Sequence, residues 1–203
     1  MLQKTESSRL LQLVAWTGMV GSVLFGAELL LLTILQYDFM RSLRWSPLVP
    51  IDWPSGLALG PYGAWMTAGF VGGGLVLMLF ALGVRQLFPQ RVAPLLFFSA
   101  GIAMLMLCFP TDPTYRSTPI TFHGILHDSA YVLLGITFVP GMILLARQFK
   151  HLPEWRTHAR LTWWAVAIIV PSFILKGVGI YIFLLALLTW YGLTALKIWK
   201  LIK

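Results

Sequence analysis

The stretch LLQLVAWTGMVGSVLFGAELLLLTILQ, Leu10 to Gln36, decides the fold. Glu28 is its one charged residue. About 20 apolar residues, rising 1.5 Å each, cross the hydrocarbon of a bilayer. Hydrocarbon offers the backbone no hydrogen bonds, so a crossing segment must satisfy its own amides and is a helix. At about 26 residues the run is also too long for the ~7–15-residue apolar region of a cleaved signal, and no small-x-small site ends it. A retained first span is expected.

Composition carries the same message through the chain. Charged residues make up 11% of the 203 and hydrophobic ones 58%, with a mean hydropathy of +0.80. A soluble domain carries about 25% charged residues. Five further apolar segments follow, at about Pro61–Val84, Pro94–Phe109, Pro119–Ala146, Leu161–Leu175 and Val178–Leu196. None alternates with the period of two that a barrel strand needs. The expected fold is all-α, a polytopic membrane bundle of six transmembrane helices forming one domain over residues 1–203. Cys108 is the only cysteine, which excludes an intrachain disulfide and a cysteine metal cluster.

The net charge of +8 would suggest nucleic acid in a soluble chain. Here the bases sort by side. With the N-terminus inside, Lys4, Arg9, Arg85, Arg91, Arg147, Lys150, Arg156, Arg160, Lys197, Lys200 and Lys203 are cytoplasmic. Arg41, Arg44, Arg116 and Lys176 are outside. Positive charge collects on the cytoplasmic side, so both termini are expected there. The basic face then meets anionic lipid headgroups, and no nucleic acid is needed.

Local signals mark several ends. Thr118 before Pro119 reads as a helix cap with proline in the first turn, and Pro94 opens the third span similarly. FPTDP, Phe109 to Pro113, closes that span; Pro140 and Pro171 would kink theirs. GFVGGG, Gly69 to Gly74, lets helix backbones approach closely. Packing within the bundle is its simpler use, a homo- or hetero-oligomer interface the other.

The polar groups of the spans gather in the outer half. Glu28 lies about 12 Å below the outer end of the first span, and His123 about 6 Å into the fourth with His127 one turn deeper. Asp112 stands in the turn before them and Asp128 follows His127. Residues four apart on a helix share a face, so His123 and His127 can bind one metal ion, with Glu28 or Asp112 as the third ligand. Zinc or another divalent cation is the natural choice. Asp128, or the remaining acid, would act as general base or orient an imidazole. No haem is expected, because two ligands on one helix face cannot take both axial positions. Such a centre would hydrolyse a lipid or lipid-linked substrate. The alternatives are a structural polar network, a transporter of a small ligand or protons, and a non-catalytic assembly subunit. His151 and His158 read as solvated residues among cytoplasmic bases. The segment Tyr37 to Gly60, with Trp45 and Trp53, is either an interfacial connector or a lid over the polar cluster, and the four outer bases could cradle an anionic headgroup.

FPTDP followed by HGILHD, together Phe109 to Asp128, resembles the signature of six-span prokaryotic membrane proteins grouped as domain of unknown function 998. The resemblance implies a plasma-membrane protein and points to Asp112, His123, His127 and Asp128. A more distant likeness is to membrane hydrolases that hold zinc with His and Asp; the third membrane histidine of those enzymes is missing here.

Overall fold

The computed structural model describes residues 2–43, 53–112, 119–174 and 178–203. Most of these residues are helical, with no strand among them. Six long helices are joined in sequence: α1 (Leu2–Leu35), α3 (Gly63–Leu87), α4 (Val92–Met106), α5 (Phe122–Phe149), α6 (Arg156–Ile174) and α7 (Val178–Ile202). A short helix α2 (Tyr37–Leu43) and two 3₁₀ turns, Pro54–Leu59 and Pro153–Trp155, lie in the connections. Among the described residues, four helices are long and apolar enough to cross a membrane, at Arg9–Leu35, Gly63–Leu87, Phe122–Phe149 and Gly179–Ile202; α4 is apolar but shorter. The chain is an integral membrane protein.

The six long helices form a closed up-and-down ring. Each packs on its neighbours in sequence, and α7 returns to α1. Contacts between α1 and α7 fix the antiparallel sense: Trp16 meets Trp199 near the end of α7, and Thr33 Oγ1 lies 3.4 Å from Tyr181 Oη near its start. The basic-end half of the ring is filled by aromatic side chains. Phe80, Phe97, Phe138 and Trp190, from four different helices, have ring centres 5.4–6.0 Å apart, mostly edge to face. All four are essentially inaccessible. Edge-to-face pairs each contribute about 0.5–1.5 kcal/mol beyond the area they bury.

The helices outrun their apolar segments. α3 continues through Arg85, α5 through Arg147 and α7 through Lys200, each a base in the last turn. Cations there complement the carbonyl end of the helix dipole, so the helix has no reason to stop where hydropathy does. α5, by contrast, starts later than expected. Its cap is Thr121, whose Oγ1 accepts from the Gly124 amide at 3.0 Å. Pro119 lies in extended chain ahead of it, and Thr118 falls outside the described residues. α5 and α6 run through Pro140 and Pro171 without ending.

The connection after α1 turns inward. In the Pro54–Leu59 turn, Pro54, Ser55, Gly56 and Leu57 are buried. Gln36, itself buried, holds the turn: its Nε2 donates to the Leu57 carbonyl at 3.1 Å, and its Oε1 accepts from the Tyr62 amide at 3.3 Å. Of the outer residues assigned above, Arg44, Trp45, Arg116 and Lys176 fall outside the described residues.

Candidate functional site

α4 ends at Met106, and the amides of Leu107, Cys108 and Phe109 take up the carbonyls of its last turn. The turn that follows is held at Phe109 by the two histidines of α5. His127 is buried, and its Nδ1 lies 2.8 Å from the Phe109 carbonyl oxygen, so Nδ1 carries the proton and donates it. His123 is exposed and stacks on the Phe109 ring at 5.9 Å. Both imidazoles therefore grip the same residue, one by its backbone and the other by its ring. Asp112 braces the start of α5: its Oδ1 accepts from Thr121 Oγ1 at 2.6 Å and its Oδ2 from the Thr121 amide at 3.2 Å. Asp128 is exposed.

Glu28 is elsewhere. It stands on α1 facing α3, so close to the Gly69 backbone that a Cβ there would fall 2.5 Å from its Oε2. Its carboxyl lines a cavity of about 780 Å³ between α1, α3 and α7. The mouth lies among Leu31, Leu35, Tyr62 and Trp65, all exposed, and opens sideways between α1 and α3. The floor reaches Gly21, Val76 and Tyr191. Gly69, Gly72 and Gly73 keep the α3 wall flat, and a Cβ at Gly72 would meet nothing within 4 Å. Two hydroxyls in the lining are occupied by backbone: Ser22 donates to Gly18 at 2.7 Å and Tyr191 to Val76 at 3.0 Å. Glu28 makes no hydrogen bond to any described residue.

The structure thus separates groups that sequence spacing suggested would meet. Phe70 reaches from Phe25 on α1 to His127 on α5, each contact at 6.4 Å, placing an apolar ring where a shared polar pocket would need donors. Met104, Leu134 and Leu184 wall both the large cavity and a small one of about 40 Å³ beside His127 and Tyr131. Trp53, Pro54 and Ser55 of the inward turn close the small cavity, with Trp53 against Tyr131 at 5.5 Å. Among the described residues, no three His, Cys, Asp or Glu side chains group where a metal ion could be held. That donor geometry does not fit the expected zinc set of His123, His127 and Glu28.

His158 corrects another expectation. It is buried, not solvated, and joins a reciprocal pair of links between α6 and α7. Trp190 Nε1 donates to Thr162 Oγ1 at 2.9 Å, which donates to the His158 carbonyl at 2.8 Å. His158 Nε2 lies 2.8 Å from Thr194 Oγ1, which donates to the Trp190 carbonyl at 2.7 Å. Nε2 is therefore the protonated nitrogen. Sequence reading missed the cavity wall as well. Its available signal was Gly69, Gly72, Gly73 and Val76, at spacings that share one helix face, facing a span that carries a lone acid.

No curated protein and no solved structure matches the chain. A family model does, over residues 52–199: α3 to α6 and nearly all of α7, including Asp112, His123, His127 and Asp128 but not Glu28. That is well over half of the chain, which therefore belongs to the family described as Protein of unknown function (DUF998).

Proposed function

We propose that this is a six-span protein of a prokaryotic plasma membrane, with both termini cytoplasmic, that binds a bilayer lipid in the outer-leaflet trough beside Glu28. The observation that carries the reading is the cavity: apolar, open toward lipid and furnished with one carboxyl. A lateral opening in a bilayer fills with hydrocarbon, and the trough gives one lipid a defined seat. Hydrolysis at a divalent metal would need Glu28, His123 and His127, with Asp112 or Asp128 as base, to converge. Binding needs only the groups that already line the trough.

The test is lipid retention. Protein purified in mild detergent should carry about one lipid per chain, measured by extraction and mass spectrometry. Gly72→Leu places a side chain into open space and should expel that lipid while leaving thermal unfolding unchanged. Equal lipid content in both proteins, or none in either, would refute the reading.

A further inference from the structure

The trough has a length and a polar depth, and together these restrict what fits it. It runs along α1 from Leu35 to Gly21, roughly 21 Å of helix at 1.5 Å per residue. Half of a bilayer with its headgroup region is about 20–22 Å, so the trough is one leaflet deep. Glu28 lies half-way along, roughly 10 Å below the rim. A diacyl phospholipid seated normally keeps its phosphate at the rim and lays methylene groups against Glu28. That leaves a half-buried carboxyl facing hydrocarbon with no partner, an arrangement that carries a desolvation cost. Drawing the phosphate down to Glu28 is worse, because among the described residues no lysine or arginine lines the cavity and the group it would meet is an acid.

Resting on the lipid-binding reading, we infer that the occupant is an uncharged lipid: one long apolar chain carrying a hydroxyl or carbonyl oxygen that hydrogen-bonds to Glu28 below the headgroup plane. A carboxyl can accept from a hydroxyl or, protonated, donate to a carbonyl, so both oxygen types suit it. The chain then follows the flat glycine face of α3 past Gly72 to the floor at Val76. Trp65 and Tyr62 lie above the bound oxygen at the rim, where amphipathic rings are favoured.

Two sources share this chemistry, an isoprenoid alcohol and a glycerol monoester, and the experiment separates them. Delipidated full-length protein is titrated with geranylgeraniol, monopalmitoylglycerol, dipalmitoylphosphatidylglycerol and hexadecane, with binding read by native mass spectrometry. One or both uncharged oxygen-bearing probes should bind about tenfold or more tightly than the phospholipid. Glu28→Leu should abolish that preference and leave hexadecane binding intact; Glu28→Gln, which still hydrogen-bonds, should retain most of it. Phospholipid binding equal to that of the uncharged probes, or an unchanged preference in Glu28→Leu, overturns the inference. If Gly72→Leu still blocks binding in that case, the trough itself survives. If no probe binds and Gly72→Leu changes nothing, the lipid-binding reading falls with it.

Discussion

At the scale of single residues, three ionisable groups have a local structural duty. His127 donates to the Phe109 carbonyl in the turn after α4, Asp112 ties the cap of α5 to the preceding turn, and His158 links α6 to α7. His158 lies ahead of the apolar stretch that begins at Leu161, and its environment makes a pH prediction. Burial, with the positive charge of Lys197 as a second cause, pushes its imidazole down to about 4 from an ordinary 6.5. The unfolded chain therefore takes up this proton first. Its contribution to stability is whole above pH 6.5 and is lost as pH falls toward 4, by about 3 kcal/mol at most. Thermal unfolding in detergent at pH 7.5 and pH 4.5 checks this. The native chain should lose more stability between the two than His158→Gln, whose amide still reaches Thr194 but does not titrate. Equal losses would show that His158 is not the group involved.

At the scale of elements, the glycines of α3 divide into two duties two residues apart. Gly74 faces α4, where a Cβ would fall 2.8 Å from the Gly101 carbonyl; Gly101 in turn would meet Met78 and the Gly74 carbonyl. Gly72 faces open space. Gly74→Leu should therefore cost several kcal/mol through overpacking, on the order of 1–3 or more, and reduce folded yield in the membrane. Gly72→Leu should not. Size-exclusion recovery and unfolding temperature of the two variants decide it, and similar behaviour would mean that α3 is rotated relative to this description. The same pair shows what a sequence can convey. Six apolar runs announced six long helices, because hydrocarbon demands internal hydrogen bonding whatever the neighbours are. That GFVGGG permits close approach was also legible. Which glycine meets a backbone and which meets a void was not, because both answers depend on helix rotation, set by side chains far away in the chain. The histidines misled for a related reason. Spacing places two imidazoles on one face, but the partner they hold, Phe109, belongs to the turn after α4, whose open carbonyl is visible only after folding. The inward Pro54–Leu59 turn was hidden too, since its burial depends on one side chain, Gln36, eighteen residues upstream of its first proline.

At the scale of the whole molecule, the ring is unequal along its axis. The half beside the basic helix ends is plugged by Phe80, Phe97, Phe138 and Trp190, contributed by α3, α4, α5 and α7. The other half opens sideways between α1 and α3. α1 also turns the largest share of its surface outward among the spanning helices. A through-path would have to displace a close-packed aromatic cluster, whereas a lipid need only slip past one peripheral helix. The asymmetry argues for access from a single leaflet, against a carrier that alternates between faces. In the proposed orientation, with the bases toward the cytoplasm, that leaflet is the outer one. A benzophenone amino acid in place of Trp65 at the rim, in vesicles whose protein orientation has been fixed by protease protection of the C-terminus, tests this directly. Radiolabelled geranylgeraniol and monopalmitoylglycerol are photolysed before and after brief removal of outer-leaflet lipid by cyclodextrin. Crosslinking should follow the outer-leaflet pool and fall several-fold after extraction. Labelling that persists at full yield once the outer pool is gone would mean the trough fills from the inner side, and that either the orientation or the aromatic barrier has been assigned wrongly.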